Sequence, residues 1–221
     1  MATYEELKKA NTKIHLQTVD DSDFKKYGKR VDHVFSKPLT DFLNTQEIPA
    51  EGTEYIRTSS EFENIREMLD IQLLVFGDMR IQAGWCAGNN DSVNALEWHK
   101  GSECFIAATD CILALSDIFS IDGNNELDSN KLQWFFVEKG AVLELYATTL
   151  HFAPIRTSES GFMAGIILPR GTNEALTERS GTRDSLLFMR NKWLICRKGT
   201  KQHKAGGYPG LKGEALKIAV P

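Results

Sequence analysis

The 221-residue chain lacks a surplus of basic residues: 26 Lys and Arg stand against 30 Asp and Glu, a formal charge of −4. Neutralising many phosphates requires a basic stripe, so nucleic acid is not an expected partner. Long apolar runs are also missing. The longest, such as Leu73 to Phe76, fall far short of the roughly 18 residues that a membrane span needs, so no membrane association is expected. The opening Met1 to Ala10 alternates charge with isolated apolar side chains and has no apolar stretch of the secretory kind, which makes the expected location cytoplasmic. Cysteine is sparse: Cys86, Cys104, Cys111 and Cys196 form no C-x-x-C pair, which argues against a disulfide scaffold or a thiolate zinc site and leaves reduced thiols packed in strands. None of the glycine groups makes G-x-x-x-x-G-K-S/T or G-x-G-x-x-G ahead of a helix, so a nucleotide-binding fold has no support.

What is present is an ordinary globular composition, 42% hydrophobic and 25% charged. From Met79 onward, short apolar runs of strand length alternate with turn residues: Arg80 to Cys86, Val93 to His99, Cys104 to Ala108, Cys111 to Leu115, Trp134 to Glu138, Val142 to Ala147, Leu150 to Ile155, Phe162 to Leu168 and Leu186 to Arg197. Gly or Asn for positive φ sits between them, at 88–91, 122–125, 138–140, 169–171 and 197–199. Many closely spaced strands predict an all-β dominated chain, a sandwich or barrel. One domain is expected, with decoration containing helices over 1–78, a barrel core over 79–200 and a tail over 201–221 that packs back through Leu211, Leu216 and Ile218.

Within the decoration, Ser60-Glu-Phe-Glu63 fits a capping box, and Ile65, Met68, Leu69 and Gln72 recur at helical spacing, predicting a helix from about Glu61 to Asp70. Tyr55 to Thr58 reads as a short strand. Thr18 to Gly28, rich in Asp and Lys, reads as surface.

The chemistry concentrates in Asn94-Ala-Leu-Glu-Trp-His-Lys-Gly-Ser-Glu103. Strand side chains alternate faces, so Ala95, Glu97 and His99 point one way while Leu96 and Trp98 point the other. Past the Gly-Ser turn, Glu103 can return toward the same point. A second stretch, Glu144-Leu-Tyr-Ala-Thr-Thr-Leu-His151-Phe-Ala-Pro154, adds another imidazole and another acid. If Glu97, His99, Glu103 and His151 converge, two nitrogens and two carboxylates surround a divalent cation, and mixed N and O ligation suits Mn, Fe, Ni or Zn. The competing reading of these residues is a buried imidazole bonded to an acid, or a surface pair with Lys100.

This pattern resembles the cupin superfamily, whose first motif runs H-x-H, three or four residues, then E, and whose second motif supplies a later His after a Gly-containing turn. His99, Glu103 and His151 match the second His, the Glu and the last His, and Glu97 stands where the first His is usual. Over most of its length the chain looks like an uncharacterised cupin-type family of unknown function. Its Glu97-Trp-His99, Ser102, Tyr146 and His151-Phe-Ala-Pro154 are also similar to motifs of ureidoglycolate lyases. The resemblance implies a cupin-like β-barrel (a double-stranded β-helix or jelly roll) with metal-centred work on a small oxygen-rich molecule.

On that basis the expected function is a metal-dependent isomerase, epimerase or lyase acting on a small hydroxylated carboxylate or sugar derivative. The alternatives are a ureidoglycolate lyase releasing urea and glyoxylate, and a non-catalytic sugar-binding or sensory cupin. Glu144, if Leu143 and Leu145 pack outward, points into the cavity as a general acid or base; otherwise it faces solvent. Tyr146 offers a phenol to a substrate oxygen or else packs. Lys139, Arg156 and Arg170 are anion clamps or ordinary turn and surface charges. His15, His33 and His203 are set aside, the tryptophans are assigned to core or subunit contacts, and a homodimer is expected by analogy with small cupins.

Overall fold

The computed structural model describes residues 2–177 and 184–221. Two sheets face each other across a common interior. One, five-stranded, pairs Leu16–Thr18 with Gln133–Val137, then Cys111–Asp117, on which both Thr149–Leu150 and Ile155–Arg156 lie antiparallel. The other, six-stranded, runs in the order Gly28–Arg30, Val142–Leu145, Glu103–Ala107, Phe162–Pro169, Ile81–Gly88, Thr53–Ile56. This is the all-β dominated, cupin-like barrel that the motifs implied.

Alternation explains why the strand sequences read as unbroken apolar runs. In Cys111–Asp117, Cys111, Leu113 and Leu115 fill the barrel with Phe105, Phe135, Leu143 and Phe162, while Ile112 and Ala114 face outward under Leu7, Trp134 and the tail residues Leu211 and Ile218. Both faces are covered, so both sets of side chains are apolar. The outer face of the six-stranded sheet is capped by helices Lys37–Leu43, Ser60–Glu63 and Glu67–Phe76 through Leu39, Leu43, Phe62, Met68 and Ile71. Gly165 permits this contact, because a Cβ there would stand 3.1 Å from both Leu43 and Phe62 side-chain atoms. A third sheet, Leu187–Met189, Lys192–Cys196 and Ala95–Trp98, lies beside the barrel and carries part of the site. All four cysteines are free, buried and in strands. Among the described residues no helix is long and apolar enough to cross a membrane.

Several local expectations are corrected. The helix over Glu61 to Asp70 is two helices, Ser60–Glu63 and Glu67–Phe76, and the cap is Ser59, whose side chain accepts from the Phe62 N–H. Glu63 is drawn away from any capping role: its carboxylate accepts from the Ala83 N–H and pairs with Arg170 at 2.7 Å, tying the break to the sheet. The 18–28 segment is not simply surface. It turns through a 3-10 helix, Ser22–Lys26, and inserts Val19, Phe24 and Tyr27 into the barrel interior, both rings packing on Phe135. The Leu150 to Ile155 run is two short strands separated by residues 151–154. The Leu186 to Arg197 run is a hairpin that turns at Asn191, whose φ is +55°.

Candidate metal centre

Glu97 and His151 exchange both backbone hydrogen bonds, Glu97 N–H to His151 O at 2.7 Å and His151 N–H to Glu97 O at 3.0 Å. Residues so paired across antiparallel segments project their side chains from the same face. The Leu150 to Ile155 run breaks here because His151 turns its backbone from Cys111–Asp117 to the neighbouring Ala95–Trp98. Register does the rest. Leu194 opposes Glu97 and Trp193 opposes Trp98, so alternation carries Lys192, Leu194 and Cys196 onto the Glu97 and His99 face, while Trp98 and Trp193 stack on the other.

Glu97, His99, Glu103 and His151 meet at this point, all nearly removed from solvent. Each of Glu97, His99 and His151 offers one ligand atom, and these atoms lie within 4.8 Å of one another, a group that could hold a metal ion. Glu103 stands beside the trio, its Oε2 3.3 Å from His151 Nε2 and 3.9 Å from His99 Nε2. The imidazoles are oriented from behind: His99 Nδ1 is 2.9 Å from the Asn191 carbonyl and His151 Nδ1 is 3.0 Å from the Thr149 carbonyl. A carbonyl can only accept, so each Nδ1 carries the proton and each Nε2, in the neutral ring, presents a lone pair to the cluster. Both Nε2 atoms are buried and make no hydrogen bond.

Burial pulls the His99 imidazole down to about 4 against the opposing pull of Glu97 and Glu103, so it is neutral near pH 7. Burial acts in the same sense on His151, but Glu103 and then Glu97 outweigh it and hold that ring at about 8. Glu97 is kept ionised below the usual carboxylate range, because Lys192, His99 and His151 overcome the penalty of its burial. Lys192 forms an ion pair with Glu97 in which both side chains are almost fully enclosed.

The cluster opens onto a cavity of about 860 Å³. Phe152, Pro154, Ile166, Phe188 and Leu194 supply apolar wall, and Tyr55, Asn94, Asn173, Lys192 and Gln202 supply polar groups. Three residues assigned by the sequence to binding or catalysis lie elsewhere, and the assignment of Glu144 to the cavity is corrected with them. Leu143 and Leu145 pack inward into the barrel, which turns Glu144 to the opposite face, where Ser102 Oγ donates to its Oε1 at 2.7 Å and Lys29 pairs with its Oε2 at 3.1 Å. Tyr146 is not part of the cavity wall; its backbone N–H bonds the Tyr27 carbonyl. Lys139 is exposed on the turn before Val142–Leu145, and Arg156, which is not among the cavity-lining residues, is held by Glu159 and by Asn89 of the cavity rim. Arg170, on Glu63, is likewise committed to structure.

Sequence reasoning missed Lys192, Tyr55 and Asn173. For Lys192 a sign was available: a charge in alternation with Leu194 and Cys196 is out of place on an apolar face. Tyr55 and Asn173 carry no such sign.

A family model described as Domain of unknown function (DUF4867) matches residues 16–216. No curated protein sequence matches the chain, so the likeness to ureidoglycolate lyases rests on short motifs, of which Ser102 and Tyr146 lie off the cavity. Similar solved structures include a mutant of Bacillus subtilis oxalate decarboxylase OxdC (14% identity, TM-score 0.33, covering 57% of this chain and 28% of that one). The same enzyme in a study of its Mn(II) centres gives 12% identity and a TM-score of 0.32 over the same shares. A tryptophan variant of it gives 10% identity and a TM-score of 0.33, covering 78% of this chain and 37% of that one. The chain thus spans well under half the length of these structures, and the fold stands on the strand pairing described above.

Proposed function

Since the chain belongs to the DUF4867 family, a domain of unknown function, we propose its activity from its cavity: a metal-dependent cupin-type isomerase, epimerase or lyase acting on a small hydroxylated carboxylate or sugar derivative. The carrying observation is the pair of buried Nε2 atoms without hydrogen-bond partners, that of His99 beside Glu97 and that of His151 beside Glu103, each ring held from behind by a backbone carbonyl. Leaving two such atoms unpaired costs free energy in a protein that keeps the site empty, whereas donor atoms of a metal need that geometry.

The donors fit a divalent ion. His99, His151 and Glu97 would hold it, with Glu103 as a fourth donor or as a free carboxylate beside it, and the mixed N and O set suits Mn, Fe, Ni or Zn. When bound, such an ion supplies positive charge that polarises a substrate oxygen and acidifies the neighbouring C–H or O–H. Proton movement then falls to Glu103, the carboxylate at the cavity wall that Lys192 leaves unneutralised. Lys192 fixes the orientation of Glu97, and the apolar wall excludes water, which strengthens every charge interaction inside. Glu144 and Tyr146 have no part in this reading.

Elemental analysis of protein purified without chelator tests it. The expected result is stoichiometric metal in the wild type and background in His99→Ala and His151→Ala; metal retained by both variants defeats the ligand assignment. Product analysis on hydroxy acids and sugar acids separates turnover from a binding module, and release of urea from ureidoglycolate would identify the lyase alternative.

A further inference from the structure

The wall of the same cavity carries a second polar feature. Tyr55 lies on the edge strand Thr53–Ile56 opposite Cys86, and the two share the face that lines the cavity. Asn173 reaches the same wall from the turn after Phe162–Pro169, with a φ of +64° and its backbone N–H bonded to the Arg190 carbonyl at 3.0 Å. The two side chains meet: Asn173 Nδ2 donates to the Tyr55 hydroxyl oxygen at 3.1 Å.

That bond fixes what each group has left to offer. Because Tyr55 accepts from Asn173, its own O–H is uncommitted among the described residues, and Asn173 Oδ1 is buried without a hydrogen-bond partner. The pair therefore holds one unused donor and one unused acceptor at the cavity wall. Turning the amide over exchanges the roles and leaves the same balance. A carboxylate only accepts and an ammonium only donates, so either would leave one of the two groups facing its like. A hydroxyl donates and accepts at one atom and satisfies both. Although Tyr55 is 37% exposed, desolvation of its phenol raises the group above its usual range, and Glu103 and Glu97 add to the effect, so the proton stays on the oxygen.

We propose that Tyr55 and Asn173 form a subsite that seats a substrate hydroxyl and sets the preference of the cavity for hydroxylated over deoxygenated ligands. The inference rests on the metal-enzyme reading only for the reacting end of the substrate. An unmet buried acceptor beside an unused donor explains the discrimination, since a ligand lacking the hydroxyl would leave both unpaired.

The test is calorimetric titration and thermal shift of the wild-type chain, Tyr55→Phe and Asn173→Gly with three matched pairs: gluconate and hexanoate, tartrate and succinate, glycolate and acetate. Glycine tolerates the positive φ at 173, so the backbone is retained. At least one hydroxylated probe should bind the wild type more tightly than its partner, and that preference should fall about fivefold to tenfold in Tyr55→Phe and vanish in Asn173→Gly. Metal content should match the wild type in both variants. Failure of all three hydroxylated probes to bind, equal binding within every pair, or a preference that survives in Tyr55→Phe overturns the subsite. So does loss of metal from Tyr55→Phe, which would place Tyr55 in support of the centre. A wild type that carries no metal but still prefers the hydroxylated probes refutes the metal reading and leaves the subsite standing.

Discussion

Glu97 and Glu144 are equally buried and each lies within reach of a lysine, yet their surroundings differ in kind. Around Glu144, on the outer face of the six-stranded sheet, every carboxylate oxygen has a partner: Ser102 on one, Lys29 on the other. Around Glu97, inside the cavity, the Nε2 atoms of His99 and His151 have no hydrogen-bond partner among the described residues. Burial of polar groups is common to both regions, and saturation is not. A saturated cluster holds the sheet together. An unsaturated one gives up stability, and such a deficit persists where a ligand closes it.

The largest expected effect is the loss of metal itself. His99→Ala or His151→Ala should reduce bound metal to background by elemental analysis, while Glu144→Gln should leave it at the wild-type level; equal losses in all three would erase the contrast between the two regions. Next comes Lys192→Met, which strands the Glu97 carboxylate in an enclosed position. Breaking a buried pair from one side costs about 3–5 kcal/mol. Thermal denaturation of the metal-free variant should register that cost, and added Mn or Zn should recover part of it, because the cation replaces the missing ammonium.

A smaller effect is expected at the saturated site. Glu144→Gln weakens charged hydrogen bonds to Ser102 and Lys29, a loss of about 1–2 kcal/mol, and metal should not restore it. The smallest effect belongs to pH. Asp117 is held below its ordinary value of 3.8: hydrogen bonding and charge from Lys26 outweigh the penalty of its burial. A depressed folded-state value means its contribution is complete above pH 3.8 and is lost as the pH falls through the lower folded value. The acid limb of a denaturation profile should therefore flatten in Asp117→Asn, and an unchanged limb would remove Asp117 from the account.

The candidate site was partly legible beforehand. Glu97 and His99 share a face by alternation alone, and the Gly-Ser turn returns Glu103 to them. His151 entered as an imidazole on a second stretch and then as a match to the later cupin motif, because nothing local links it to Glu97; the backbone exchange that brings them together is a long-range pairing. Glu144 and Tyr146 went wrong for a definite reason. Periodicity says which residues lie on one face, but which face is inward depends on the sheet opposite, and Leu143 and Leu145 turned out to meet Phe105 and Phe135 inside the barrel. Lys192 opens the second strand of the hairpin that turns at Asn191, and Asn173 sits on a turn bonded to Arg190 of that hairpin, which was read as one strand.

By itself the sequence determined the β-rich character, the positions of most strands, the reduced cysteines and a two-residue spacing that sets a carboxylate beside an imidazole. These follow from short-range rules: side-chain alternation, turn chemistry and the apolarity of strands covered on both faces. Tertiary structure alone decided which acids are saturated and which are open, and which lysine, tyrosine and amide reach the cavity. Those outcomes depend on register between strands far apart along the chain, where a shift of one residue turns every side chain to the other face.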